Sequence, residues 1–145
     1  MDQFDKKIIE ALQKNGKISM AELGRSIGLS TSATSERVKK MEQEGIIKGY
    51  TVLIDGGKVG MDITAFISVP VGNMAIEAMA KMISEIPQVQ ECHKVTGNTC
   101  FMVKVKARNT KELEQLIDQI NHVAPNTYTY LALSTAKETT WINIE

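Results

Sequence analysis

Apolar side chains near the start of the chain recur at helical spacing. They are Phe4, Ile8, Ile9 and Leu12. This spacing predicts an amphipathic helix, which the pair Asn15-Gly16 ends. The stretch from Ser19 to Glu22 has the capping-box pattern that starts a second, short helix, and Gly28 stops that helix.

A third helix is predicted for residues 31–44, with Ser30 as its N-cap. Its inward side consists of Thr34, Val38 and Met41. Gly45 supplies the left-handed backbone at which helices commonly end. A helix, a short helix, a tight glycine turn and a longer helix, in this order, form a helix-turn-helix unit.

The sequence of residues 46–55 predicts a strand that follows this unit. With that strand, the unit would resemble a winged helix. Asp55-Gly56-Gly57 is typical of a turn, and residues 55–61 are the best linker candidate. We therefore divide the chain into a helix-turn-helix domain at 1–50, a strand and linker at 51–61, and a second domain at 62–145.

In the second domain, the spacing of apolar residues changes several times between the alternation typical of strands and the spacing typical of helices. The predicted elements are a strand at 63–71 with Pro70 at its end or edge, a helix at 76–86, strands at 89–96 and 100–107, a helix capped by Asn109, and a strand at 127–136. This order is the ferredoxin-like βαββαβ pattern, so the predicted fold class is α+β. Two helices cover one sheet face. We expect Phe66, Tyr128 or Tyr130 to be exposed on the other face, which would favour association.

The composition restricts the chemistry. Because 17 basic residues balance 17 acidic ones, an argument for nucleic acid must rest on local placement. Cys92 and Cys100 form no CxxC pattern and no metal spacing with His93 or His122, so we interpret them as free thiols and structural histidines, with no metal and no cofactor. The chain has no apolar signal core and no apolar run near ~18 residues, so we expect a cytoplasmic protein without a membrane partner.

Five of the six residues at 30–35 carry hydroxyl groups. One helix cap needs one hydroxyl, so the surplus favours a surface that bonds to DNA bases and phosphates, and nearby basic residues can reach further phosphates. The candidate DNA contacts are Arg25, Ser30, Thr31, Ser32, Ser35, Arg37, Lys39 and Lys40. In the alternative interpretation the hydroxyls only cap the helix, and its two lysines pair with Glu36 and Glu44 on a solvated face.

The segment "DKKIIEALQKNGKISMAELGRSIGLSTSATSERVKKMEQEGIIKGYTVLID" resembles the start of the leucine-responsive/asparagine-regulator (Lrp/AsnC) family of prokaryotic transcription regulators, and "VQECHKVTGNTCFMVKV" resembles a later part of it. "SERVKKMEQEGIIKGYT" is the most specific piece. The resemblance implies a sequence-selective regulator that binds double-stranded DNA, associated with the nucleoid. It also implies a second domain that binds small effectors, often amino acids, and forms dimers and commonly tetramers of dimers, that is, octamers.

The resemblance also implies an effector region. Its residues here would be Gly97, Asn98, Thr99, Cys100, Tyr130 and Leu131. The family commonly has Gly-x-x-Asp-Tyr in this loop, whereas Cys100 and Phe101 stand here in place of Asp and Tyr. The change removes a carboxylate, the natural partner of an amino acid's ammonium group.

Three functions remain open from the sequence. The first is an effector-responsive transcription regulator, and the second is an architectural protein that wraps or bends DNA without effector control, which the altered loop favours. The third is an enzyme, because a branch that resembles this family decarboxylates haem precursors. The intact helix-turn-helix and the presence of only two histidines argue against the third, so we expect no enzymatic activity.

Overall fold

A computed structural model of the chain describes residues 1–144. Its elements are helices α1 (Gln3–Lys14), α2 (Met20–Ile27) and α3 (Thr31–Gln43), strand β1 (Ile63–Val69), helix α4 (Ile76–Ser84), strands β2 (Val89–Lys94) and β3 (Phe101–Ala107), helix α5 (Thr110–Asn121) and strand β4 (Tyr128–Leu131). The contacts divide the chain into two compact units. Unit 1 is Met1–Leu53 together with the tail that begins at Glu138, and unit 2 is Ile54–Lys137.

The three-part division at 1–50, 51–61 and 62–145 stays a prediction. The contacts within the chain add a feature that the division lacked, because the tail after Lys137 associates with unit 1 rather than with the sheet domain that precedes it.

The helices of unit 1 begin and end where the sequence chemistry places them. Ser19 Oγ accepts from the backbone N–H of Glu22 at 3.1 Å and so caps α2. The helix α1 has a cap that the sequence analysis missed, because Asp2 and Asp5 each accept from the other's backbone N–H, at 3.0 and 2.9 Å. Gly45 has the positive φ that was predicted for it, and Gly28, which was predicted only to stop α2, has a positive φ as well.

A small core joins the three helices of unit 1. Its buried apolar side chains are Ile8, Leu23, Val38 and Met41. The predicted inward side of α3 is confirmed, since Thr34 is also buried and its Oγ1 donates to the carbonyl of Ser30 at 2.8 Å.

The predicted strand at 46–55 was wrong, since these residues have no regular secondary structure in the single chain. A strand needs a neighbouring strand to bond its backbone, and the four strands of the described chain pair only with one another. Val52, Leu53 and Ile54 consequently remain highly exposed.

Unit 2 is a four-stranded antiparallel sheet with the order β2-β3-β1-β4. Helices α4 and α5 supply apolar residues to the core on one side of it, so the ferredoxin-like prediction is confirmed. The core includes Ile67 and Val103 from the central strands, Met79 and Ile83 from α4, and Leu116 and Ile120 from α5. Strand β4 is shorter than predicted, because regular pairing with β1 ends at Leu131.

The other sheet face is uncovered, as expected. Phe66, Tyr128 and Tyr130 are 39%, 68% and 58% exposed there, and Tyr130 lies directly opposite Phe66 in the ladder. Among the helices of the described chain, we find none with the length and apolar character needed to cross a membrane.

Candidate nucleic-acid interface and effector pocket

The helix α3 has two contrasting sides. Thr34, Val38 and Met41 are buried on one side. The opposite side is a stripe at spacings of three and four residues, which we call the outer stripe: Ser32, Glu36, Lys39 and Gln43. All four side chains are exposed, so this side of the helix is accessible to a ligand as large as duplex DNA.

The hydroxyl groups at the start of α3 divide into structural and available ones. Ser30 caps the helix by accepting from the backbone N–H of Ala33 at 3.2 Å, and its Oγ also lies 3.2 Å from Ser32 Oγ. Ser35 donates to the carbonyl of Thr31 at 2.9 Å and is half-buried. The side chains of Thr31 and Ser32 are exposed, so they are the most available members of the group.

Gly24 sets how closely α2 approaches the start of α3, and the sequence analysis missed it. A Cβ at this position would lie 2.7 Å from the carbonyl oxygen of Leu29 and 2.8 Å from Thr34 Oγ1. Both distances are shorter than real contacts, so only glycine permits this approach. A glycine in the middle of a short amphipathic helix was the sequence signal that could have identified it.

The sequence analysis expected Arg37 to be free to contact a phosphate, but the structure places it in ion pairs within unit 1. Its Nη1 donates to the carboxylates of Asp2 at 2.7 Å and Asp5 at 2.8 Å, and its guanidinium lies 5.4 Å from the centre of the Phe4 ring. Two carboxylates already use the cation, so Arg37 fastens α3 to the start of α1. The pKa of Asp2 is lowered, first by the backbone N–H of Asp5 and next by Arg37.

The remaining basic candidates lie on the surface of unit 1. Lys40 is exposed and reaches Glu44 at 3.8 Å, a weak pair one turn along the helix. Arg25 in the last turn of α2 and Lys39 on α3 are exposed, and neither has an ion pair within residues 1–144. Both cations are therefore available for phosphates.

A second candidate site lies at one end of the sheet in unit 2. It is a cavity of about 280 Å³ lined by Ser68, Pro70, Asn98, Thr99, Tyr128 and Tyr130. Three predicted effector residues, Asn98, Thr99 and Tyr130, lie in it together. The other three lining residues were missed. Ser68 and Tyr128 are opposite each other in the β1–β4 ladder, and this register is not visible in the sequence.

The structure separates the other three predicted effector residues from this cavity. Cys100 is only 7% exposed and belongs to the core of unit 2, and its backbone N–H donates to the carbonyl of Val69 at 2.8 Å. Gly97 turns the chain with φ of 110°, and Leu131 lies exposed at the end of β4. None of the three lines the cavity.

The cavity offers neutral hydrogen-bonding groups. Its lining carries four hydroxyls and one side-chain amide, and none of the six lining residues is charged. Thr99 Oγ1 donates to the carbonyl of Val69 at 2.8 Å, which holds the loop against the end of β1. Such a surface suits a small polar ligand that is bound by hydrogen bonds rather than by a salt bridge.

The cysteines and histidines have structural surroundings. Both cysteines are free thiols, and burial raises the pKa of the half-buried Cys92. His93 lies 3.1 Å from Glu91, and His122 Nδ1 lies 2.6 Å from the carbonyl of Asp118 at the end of α5. Within residues 1–144, no three His, Cys, Asp or Glu side chains lie close enough together to hold a metal ion.

The two units together define a DNA-binding regulator class: a helix-turn-helix unit joined to a ferredoxin-like domain. The family models agree, with a winged helix-turn-helix DNA-binding domain at residues 1–48 and an Lrp/AsnC ligand binding domain at residues 64–142. The chain belongs to the Lrp/AsnC family of transcriptional regulators.

Relatives along the whole chain support this assignment. The HTH-type transcriptional regulator FL11 of Pyrococcus horikoshii is 34% identical, covering 100% of this chain and 97% of its own length. LrpC of Bacillus subtilis is 38% identical over 86% of this chain and 85% of its own. Both are named as HTH-type transcriptional regulators.

Solved structures have the same fold. The structure of Bacillus subtilis LrpC has a TM-score of 0.88 at 34% identity and covers 94% of this chain and 97% of its own. A regulator of Neisseria meningitidis, NMB0573, described as a complex with L-Met, has a TM-score of 0.92 at 26% identity, covering 99% of this chain and 97% of its own.

Proposed function

We propose that this protein is a sequence-selective transcription regulator that inserts the outer stripe of α3 into the major groove of chromosomal DNA in the cytoplasm. The observation that carries the proposal is the contrast between the two sides of α3, buried at Thr34 and Val38 and exposed along the outer stripe. A helix with its core side fixed by packing presents the other side at a defined angle.

The proposed DNA contacts follow from exposure and chemistry. Thr31 and Ser32 reach base edges or phosphates at the start of α3, where the helix dipole also favours an anion. Arg25, Lys39 and Lys40 contact phosphates and supply the salt-dependent part of the affinity. We keep Ser30 and Ser35 among the proposed DNA contacts, as residues near the start of α3 that would lie beside the phosphates. Arg37 acts indirectly, through the α1–α3 contact.

A second copy of the chain completes the proposed regulator. The uncovered sheet face with Phe66 and Tyr130 and the exposed segment at Val52–Ile54 are apolar surfaces that two copies can bury. A dimer places two recognition helices on successive major grooves about 34 Å apart, and tetramers of dimers extend the contact along DNA.

The cavity in unit 2 is the proposed effector site. Its volume of about 280 Å³ suits a molecule of amino-acid size, and the hydroxyls of Ser68, Tyr128 and Tyr130 can donate to a carboxylate. The L-Met complex of the Neisseria meningitidis relative gives methionine as a first ligand to try. An effector of this kind regulates DNA binding by favouring one assembly or orientation of the two helix-turn-helix units.

Selection of bound DNA from a random pool tests the proposal. The protein is expected to enrich a sequence with two related half-sites about one helical turn apart, and added amino acids change the enrichment. If bound and unbound pools have the same composition at every salt concentration, the regulator function is excluded.

The lack of charge in the effector cavity favours one alternative, an architectural protein that bends or wraps DNA without effector control. Gel mobility of circularly permuted fragments distinguishes the two functions. An architectural protein bends many unrelated fragments and is indifferent to amino acids, whereas a regulator bends or retards its selected site preferentially.

A further inference from the structure

The C-terminal tail forms a specific contact with α1. The side-chain amide of Gln13 donates from Nε2 to the carbonyl of Ile142 at 3.0 Å and accepts at Oε1 from the N–H of Ile142 at 2.7 Å. A primary amide carries the same donor and acceptor as a peptide group, so Gln13 pairs with Ile142 as a neighbouring strand would. The contact joins positions 129 residues apart in sequence.

The aromatic side chain next to this pair strengthens the contact. Lys14 Nζ lies 5.9 Å from the ring centre of Trp141, a cation–π distance. Trp141 is 40% exposed, so more than half of its surface is covered although it lies near the chain end. The backbone N–H of Trp141 donates to Thr139 Oγ1 at 3.0 Å, which shapes the tail where it meets α1.

Only a short segment of the chain separates the tail from the strand that lines the effector cavity. Tyr128 and Tyr130 on β4 line that cavity, and β4 ends at Leu131, ten residues before Trp141. These intervening residues lack regular secondary structure. At its other end the tail contacts α1, whose first turn holds α3 through Arg37. One short covalent segment therefore connects the cavity-lining strand to the DNA-reading unit.

We infer that residues 138–144 are a latch that docks on the Gln13–Lys14 surface of α1, and that a ligand in the Tyr128–Tyr130 cavity changes the fraction of docked latch. This inference rests on the proposed function, since it names how the cavity regulates DNA binding. The latch has two states, docked and released. A few exposed polar contacts hold the docked state, so a ligand that prefers one conformation of β4 can shift the balance.

Trp141, the single tryptophan of the chain, reports the latch without any label. In full-length protein, Gln13→Glu keeps the size of the side chain but cannot donate to the Ile142 carbonyl. It is expected to shift tryptophan emission to longer wavelength and to increase quenching by acrylamide. The control Gln3→Glu introduces the same charge on the first turn of α1, and it is expected to leave the tryptophan emission and the acrylamide quenching unchanged. Equal emission and quenching in wild type and Gln13→Glu overturn the docking.

Titration tests the link to the cavity. L-methionine or L-leucine at millimolar concentration is expected to shift tryptophan emission in the wild type, and Tyr130→Ala abolishes the shift. An emission that neither amino acid changes overturns the coupling. A protein that binds no DNA but shows the Gln13→Glu emission shift would refute the proposed function and leave the docking intact, so the two failures are distinguishable.

Discussion

Arg37 on α3 donates to Asp2 at the start of α1 across 2.7 Å, and the same nitrogen reaches Asp5 at 2.8 Å. These two bonds connect α3, the helix that would read DNA, to the N-cap and first turn of α1. The arginine side chain is also one-third exposed, so water competes with the pair. The ion pairs of Arg37 therefore contribute more to the orientation of α3 than to the free energy of unfolding of unit 1.

Replacement of Arg37 with alanine is expected to weaken DNA binding on all sequences because α3 loses its fastening, and to lower the unfolding midpoint modestly. Lys39→Ala provides the contrast. It removes one phosphate contact, leaves the melting curve unchanged, and lowers the slope of log affinity against log salt by about 0.9. Thermal melting and binding titrations measure the two effects. Unchanged melting and unchanged affinity in Arg37→Ala contradict the fastening role.

The ion pair between Asp2 and Arg37 also predicts how the stability of the protein changes at acid pH. The pKa of Asp2 is lowered below its ordinary value of 3.8, so the folded state binds this proton less readily than the unfolded state. Its stabilising contribution is therefore present above that ordinary pKa and is lost as pH falls through the lower folded pKa. We expect the difference in melting midpoint between wild type and Arg37→Met to be constant from about pH 6 to about pH 4 and to shrink between about pH 4 and about pH 2. A constant difference across that range rules out this linkage.

Gly24→Ala is expected to destabilise the helix-turn-helix, because the new methyl group would lie 2.7 Å from the Leu29 carbonyl oxygen. Overpacking of this kind costs on the order of 1–3 kcal/mol. Gly16→Ala is the matched control, since a Cβ there meets nothing closer than 3.8 Å. Urea denaturation followed by circular dichroism compares the two variants, and equal midpoints would show that α2 and α3 can separate at no cost.

Glu36 gives a prediction about specificity. It lies on the outer stripe of α3, exposed and with no ion pair among the described residues, and a carboxylate in a major groove can accept from cytosine N4 while phosphates repel it. Glu36→Gln is expected to raise affinity for random DNA and to reduce the preference for the selected site. Glu44→Gln removes the same charge from the end of α3 and should raise affinity for both DNAs alike. An identical response in the two variants argues against base reading by Glu36.

The sequence predicted most of the fold because its local signals agree with its tertiary contacts. Ser19, Gly28, Ser30 and Asn109 begin or end helices as expected, and Asn109 accepts from the backbone N–H of Glu112 at 2.9 Å. The strand at 46–55 failed for a physical reason, since its apolar residues form a surface that nothing covers in one chain. Periodicity reports which side is apolar but not what packs on it.

The site residues were harder to predict than the fold. Exposure on α3 follows from helical spacing, so Ser32 and Lys39 could be placed on its outer side. The partners of Arg37 lie 32 and 35 positions away, and spacing carries no information about them. Cys100 shows the same limit, because it was predicted to belong to an effector loop but its side chain belongs to the core.

The most direct test of the account places a photoreactive side chain on the outer stripe. A benzophenone at position 32 in the full-length protein, irradiated with the DNA selected from a random pool, is expected to crosslink to bases within each half-site. The same group at Gln119 on α5, also exposed, is expected to give no crosslink. DNA that is bound but crosslinks from position 119 and not from position 32 would contradict the claim that α3 enters the groove.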